Sequence, residues 1–122
     1  MQTVLDVGNC GPDHSSIRSM IESQFSARVI QAHDLDDALA RLKSDPIDLV
    51  LVNRKLDRDY SDGLDVIKGI LADGGTKDIP VMMVTNYQEH HELAMAAGAV
   101  QGFGKLQLRT EETRELLANY LS

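Results

Sequence analysis

The chain has 122 residues, 43% of them hydrophobic, and a formal net charge of -7 from 12 basic and 19 acidic residues. This length is suited to one domain with a single core, so we expect residues 1–122 to form one domain. The excess of acidic residues argues against nucleic acid and against an anionic membrane surface as partners of this domain by itself.

The cysteine content and the N-terminus bear on the compartment. The single cysteine, Cys10, cannot form an intramolecular disulfide, and no apolar run approaches the roughly 18 residues that a membrane-spanning helix needs. The N-terminus lacks a basic segment followed by an apolar one, as a signal peptide would have. We therefore expect a cytoplasmic location.

The first third of the chain predicts two strand–helix pairs. Residues 3–7 form an apolar strand interrupted by Asp6, and a turn-rich loop follows. Asp6 either pairs with a buried polar group or lies where water reaches the sheet. Apolar residues at helical spacing then predict a helix over 13–25, a strand over 28–32 and a second helix that opens at His33 or Asp34.

The most informative stretch covers residues 46–56. Ile47 and the run Leu49–Val52 are apolar, and a proline and an acidic turn flank them. Such a run is typical of a strand buried on both faces at the centre of a parallel sheet. Asn53 then lies at the carboxyl edge of the sheet, where open α/β sheets place ligands and chemistry. This position holds an amide and not an acid.

The remaining elements continue the alternation. A third helix over 64–71 should end near 73–75, with a glycine as a left-handed cap. A strand over 80–85, a helix over 88–97 that stops at Gly98, and a weak strand over 101–104 follow. Thr110 is a suitable N-cap for the last helix. His90 and His91 are adjacent, so they face different sides of the fourth helix, and we expect surface residues and not metal ligands.

Five alternations with short connections predict an α/β fold with a parallel sheet and helices on both faces. The whole pattern resembles the receiver domain of two-component response regulators. The resemblance rests on Asp48–Asn53, 62–65, 79–85, 97–99 and Lys105, in that order and spacing. It implies a flavodoxin-like (βα)5 doubly wound sheet of five parallel strands in the order 2-1-3-4-5.

The resemblance also implies a chemistry that this chain matches only in part. Family members transfer a phosphoryl group to an aspartate after the third strand, using Mg²⁺ held by acids after the first strand, a hydroxyl and a lysine. Thr85 and Lys105 match the hydroxyl and the lysine. Asn53 occupies the acceptor position, and Gly8 and Asn9 occupy the acidic pair. We therefore predict a degenerate phosphoacceptor site with no metal, no cofactor and no enzymatic activity.

The fifth strand departs from the family pattern as well. Gly102 occupies the position of the switch aromatic, and Phe103 is displaced by one residue, which in a strand changes the face. Leu106 replaces a proline whose preceding bond is typically cis in the family. Because a cis bond before a non-proline residue costs about 3 kcal/mol, we expect a trans bond between Lys105 and Leu106.

Two functions fit these observations. The first is a pseudo-receiver, a phosphorylation-independent interaction module that binds a signalling protein or itself through the face of helix 4, strand 5 and helix 5. An exposed apolar patch should then remain near Met95, Val100, Phe103 and Leu106. The second is a domain that binds a small anion or metabolite through Asn53, Thr85, Lys105 and the loop amides after the first strand, because the loss of acids leaves a neutral or positive pocket.

Overall fold

A computed structural model of the protein describes residues 1–74 and 78–122. Strands and helices alternate along the whole described chain. The strands are β1 (Gln2–Val7), β2 (Ala27–Ala32), β3 (Leu49–Asn53), β4 (Val81–Val84) and β5 (Val100–Phe103), and the helices are α1 (Gly11–Gln24), α2 (Leu35–Ser44), α3 (Gly63–Ala72), α4 (Gln88–Ala96) and α5 (Glu111–Leu117), with a 3₁₀ turn at Lys105–Gln107.

The five strands form one parallel sheet in the order β2-β1-β3-β4-β5, which confirms the predicted fold. The strand β3 lies at the centre, between β1 and β4, and its residues Leu49–Val52 are fully buried. Asn53 ends this strand, level with Val84 of β4. The predicted central strand and the place of Asn53 at the carboxyl edge are therefore confirmed.

Alternation along the strands divides the core into two layers. Residues of β1, β3, β4 and β5 such as Val4, Leu51 and Phe103 pack against α1 and α5. Their neighbours in sequence, such as Leu5 and Val50, pack against α2, α3 and α4. Asp6 shares the parity of Val4, so it faces α1.

The helix ends follow the predicted capping residues with one exception. The Asp34 carboxylate accepts a hydrogen bond from the amide of Asp37 at 2.8 Å, and Thr110 caps α5. The predicted left-handed cap after the third helix is wrong for Gly74, because α3 ends at Ala72 and Gly74 has no positive φ. Gly75, which shared that prediction, lies outside the described residues. No helix in the described ranges is long and apolar enough to cross a bilayer.

Candidate functional site

The carboxyl edge of the sheet collects the predicted site positions. Gly8 and Asn9 follow β1, Asn53 ends β3, Thr85 follows β4 and Lys105 follows β5. Because the strands are parallel, all five positions lie at one edge. The side chains among them that carry polar atoms are each bonded to other partners in the protein.

Asn53 is engaged with its own loop. Its side-chain Nδ2 donates a hydrogen bond to the carbonyl oxygen of Lys55 at 2.6 Å. The amide thereby occupies a backbone carbonyl that a hard cation could otherwise have used as an oxygen ligand. An amide also has no carboxylate oxygen to act as a nucleophile.

Gly8 is covered by an apolar side chain. Its φ is +81°, a conformation that favours glycine, and a Cβ at this position would lie 2.5 Å from Cγ of Leu56. Leu56 is fully buried. An acidic side chain at position 8 is therefore excluded by backbone conformation and by packing, so the absence of an acid here is built into the fold.

Asp6 is the acid that the edge retains, but it points inward. It is fully buried, it accepts a hydrogen bond from Nδ2 of Asn9, and its Oδ2 lies 2.7 Å from Nδ1 of His14 on α1. Of the two alternatives for Asp6, the structure favours pairing with buried polar groups. Asn9 is also fully buried, so its side chain serves this cluster and not the open edge.

Lys105 has an acidic partner that the sequence did not reveal. Its Nζ donates to Oδ2 of Asp13, in the first turn of α1, at 2.8 Å. This hydrogen bond lowers the pKa of Asp13, with a smaller contribution from the Cys10 thiol 3.3 Å away. The positive charge of Lys105 is therefore compensated within the protein.

Thr85 is held by two histidines of α4. Its Oγ1 lies 3.0 Å from Nδ1 of His90, and its carbonyl accepts a hydrogen bond from Nε2 of His91 at 2.8 Å. The predicted surface position is wrong for His91, which is only 5% exposed. Burial lowers the pKa of His91. Its Nδ1 is buried and has no hydrogen-bond partner among the described residues.

A bulge in β5 explains the unusual sequence at Gly102. Val100 pairs with Met82 and Phe103 with Val84, so β5 has one residue more than β4 between these pairs. A Cβ at Gly102 would collide with the carbonyl oxygen of Met83 and would meet the His91 ring. Phe103 is buried in the layer next to α1 and α5. The trans bond predicted between Lys105 and Leu106 is confirmed, since no described peptide bond is cis.

A groove of about 460 Å³ runs over β5 between α4 and α5. Leu106 at its rim is 84% exposed. Of the four residues near which an exposed apolar patch was predicted, Leu106 is exposed, Met95 and Val100 are half-buried and Phe103 is buried. The lining residues are Thr85, Asn86, Gln88, His91, Gln101, Gly102, Phe103, Gly104, Leu106, Gln107, Glu112, Thr113 and Leu116.

The edge does not fit a magnesium ion. Its central positions Gly8, Asn9 and Asn53 offer no carboxylate, Asp6 is bonded internally, and Asp13 is paired with Lys105. Within residues 1–74 and 78–122, no three histidine, cysteine or acidic side chains are grouped so that they could hold a metal ion. We therefore derive no step through a metal.

The sheet order, the two helical layers and the hydroxyl and lysine at the carboxyl edge define a receiver-type signalling domain. The family model of the response regulator receiver domain matches residues 13–116, and the chain belongs to this family, whose members act in two-component signalling.

Solved structures agree with this fold. A response regulator from Thermotoga maritima superimposes with a TM-score of 0.78 at 22% identity, over 98% of this chain and 97% of that one. The receiver domain of a sensor histidine kinase from Pseudomonas aeruginosa, solved with magnesium in its active-site cleft, gives 0.77 at 21% identity, over 98% and 96%. The chemotaxis response regulator CheY4 of Vibrio cholerae gives 0.73 at 20% identity, over 93% and 98%.

Proposed function

We propose that this chain is a degenerate receiver domain that binds a signalling protein without being phosphorylated. The observation that carries the proposal is the state of Asn53, an amide whose Nδ2 is already bonded to the Lys55 carbonyl oxygen at 2.6 Å. The domain is then a binding module and not an enzyme, and we place it in the cytoplasm.

The chemistry of phosphoryl transfer supports this view. The transferred group needs an anionic oxygen nucleophile and a cation that neutralises its charge. Asn53 supplies neither, and Leu56 covers the position where an acid at residue 8 would help to bind the cation. Thr85, whose hydroxyl would contact the phosphoryl group, is instead bonded to His90.

The groove over β5 supports a role in binding. Leu106 exposes most of its side chain at the rim, and the apolar residues Leu116 and Phe103 also line the groove. Exposed apolar surface of this kind, rimmed by polar residues, marks interaction sites. Because the edge contains no phosphoryl acceptor, binding at this face is constitutive and is set by the concentration and state of the partner.

The small-anion function has less support. Asn53, Thr85 and Lys105 each have a protein partner, and an anion at Lys105 would have to displace the Asp13 carboxylate. The positive charge that Lys105 would offer an anion is therefore already compensated by Asp13. We do not propose it as the function.

Phosphorylation is tested by intact-mass spectrometry after incubation with acetyl phosphate and Mg²⁺. We expect an unchanged mass for the wild type and for Asn53→Asp, because the second variant still lacks the acids after β1. A gain of one phosphoryl group by the wild type, abolished by a substitution near Asn53, would overturn the proposal.

The binding face is tested by substituting its most exposed leucine. Leu106→Glu should weaken association with the partner recovered from the native host, or self-association measured by light scattering. Tyr60→Glu is the matched control, because Tyr60 is 74% exposed in the loop after β3, away from the groove. Equal binding by wild type, test and control would exclude the face as the binding site.

A further inference from the structure

We infer that the groove over β5 receives a basic side chain, a lysine or arginine flanked by apolar residues, from a partner protein. This inference rests on the proposed interaction function and specifies the chemistry of the partner. The unpaired acceptor in the groove, the charge of its lining and its apolar rim support such a partner.

The first observation is a buried acceptor without a donor. Because Nε2 of His91 donates to the Thr85 carbonyl oxygen, the proton of the neutral imidazole lies on Nε2 and Nδ1 presents a lone pair. Nδ1 is buried and unpaired, although His91 lines the groove. A buried polar atom without a partner is costly, so a donor that reaches it is favoured.

The second observation is the charge of the lining. Glu112 is the single formally charged side chain among the described residues that line the groove, and none of them is lysine or arginine. Its neighbour Glu111 is paired with Arg114 at 3.0 Å, so Glu112 supplies the charge of the lining. A cationic donor is therefore attracted, whereas an acidic segment or a free anion is repelled.

The third observation is the apolar rim. Leu106 is 84% exposed, and Leu116 and Phe103 also line the groove. Lysine and arginine cover apolar surface with their methylene stems while the charged head reaches polar groups. A volume of about 460 Å³ accommodates such a side chain together with parts of its apolar neighbours.

The amide groups complete the site. Gln88 and Gln101 face each other across the groove, with Nε2 of Gln88 donating to Oε1 of Gln101 at 3.0 Å. This pair joins α4 to β5, and amide oxygens of this kind accept hydrogen bonds from an entering ammonium or guanidinium group.

The experiment is a titration of the ¹⁵N-labelled protein, followed by NMR, with three capped peptides of the form Ac-Leu-X-Leu-NH₂. The central residue X is lysine, its uncharged counterpart norleucine, or glutamate. The lysine peptide should shift the amide signals of Gln101, Gly102 and Gly104 and the ring signals of His91. We expect it to bind about tenfold more tightly than the norleucine peptide, since a charge-assisted hydrogen bond separates the two.

Two exposed acids on one helix provide the matched variants. Glu112→Gln should weaken binding of the lysine peptide about threefold, the scale of one exposed charge pair. Glu115→Gln, outside the groove lining, should leave binding unchanged. His91→Phe should abolish the preference for lysine over norleucine, and if that variant fails to fold, the comparison of the two glutamate variants decides alone.

Three results overturn the inference: equal binding of the lysine and norleucine peptides, tighter binding of the glutamate peptide, or no saturable shift with any peptide. Self-association through this groove would appear instead as shifts that depend on protein concentration without peptide. None of these outcomes bears on whether Asn53 is phosphorylated, so failure of this inference is distinguishable from failure of the proposed function.

Discussion

The carboxyl edge and the groove over β5 differ in how their charged groups are paired. At the edge, Asp6 is paired with His14 and Lys105 is paired with Asp13. In the groove, Nδ1 of His91 has no partner within the described structure. The charged groups of the edge are thus bonded to one another, although Oδ1 of Asn9, like Nδ1 of His91, is a buried acceptor without a partner among the described residues. Under the proposed function, a partner is expected to bind at the groove, where Glu112 lines the surface, and not at the paired edge.

Asp6→Ala should give the largest loss of stability, because it disrupts the pairing of buried groups at the carboxyl edge. The substitution leaves His14 and Asn9 without their buried acceptor, and removal of one member of a buried pair costs about 3–5 kcal/mol. Urea unfolding measures this loss. Asp48→Ala is the control: this exposed carboxylate accepts one hydrogen bond, from the Thr3 amide, and should cost about 1 kcal/mol. Similar losses for both variants would contradict the special role of Asp6.

Gly8→Asp should show that an acid cannot simply be returned to the edge. The positive φ costs about 1–2 kcal/mol for a residue with a side chain, and the collision with Leu56 adds about 1–3 kcal/mol. Thermal unfolding at constant pH measures the sum. A second substitution, Leu56→Ala, should relieve the collision, so the double variant loses less than the two single losses added together. Strict additivity would rule out the contact as the cause.

His91 should make stability depend on pH near neutrality. Burial lowers its pKa below 6.5, so the unfolded chain binds a proton at a pH where the folded protein does not. Its contribution to stability is therefore complete above pH 6.5 and is lost as the pH falls below that value. Unfolding free energies between pH 5 and 8 should show a shallower slope for His91→Phe than for the wild type. His90→Gln, on the same helix, should retain the contribution of His91.

Lys105→Met should have the smallest effect on stability. The side chains of Lys105 and Asp13 are 28% and 39% exposed, and pairs exposed to this extent contribute about 0–1 kcal/mol. A double-mutant cycle with Asp13→Asn isolates the coupling, and the exposed pair of Arg114 and Glu111 provides the control cycle. A coupling that persists unchanged in 1 M salt would show that the pair is more closed to solvent than its exposure indicates.

The fold could be predicted from the sequence because the residues that specify each strand and helix are close together in the chain. The run Leu49–Val52 shows by its own composition that it is buried on both faces, and the end of that run places Asn53 at the carboxyl edge. Thr110 likewise identifies the start of α5 by its own chemistry. Signals of this kind need no knowledge of distant residues.

The arrangement of the site was harder to predict from the sequence, because its contacts join residues that are far apart in the chain. Asp13 and Lys105 are 92 positions apart, and no spacing rule connects them. The adjacency of His90 and His91 shows that they face different sides of a helix, but it does not show that one side is buried. Asp6 did carry a signal, since an acid inside an apolar strand requires a partner, and only the fold identifies that partner as His14.

The bulge in β5 has an evolutionary consequence. A side chain at position 102 would meet the Met83 carbonyl, so no single substitution there can restore an aromatic ring without moving the backbone. A ring at this position would require a change in the register of β5 and not only a new side chain. An aromatic residue at position 102 therefore needs more than one mutation in this chain, because the bulge has to be removed as well.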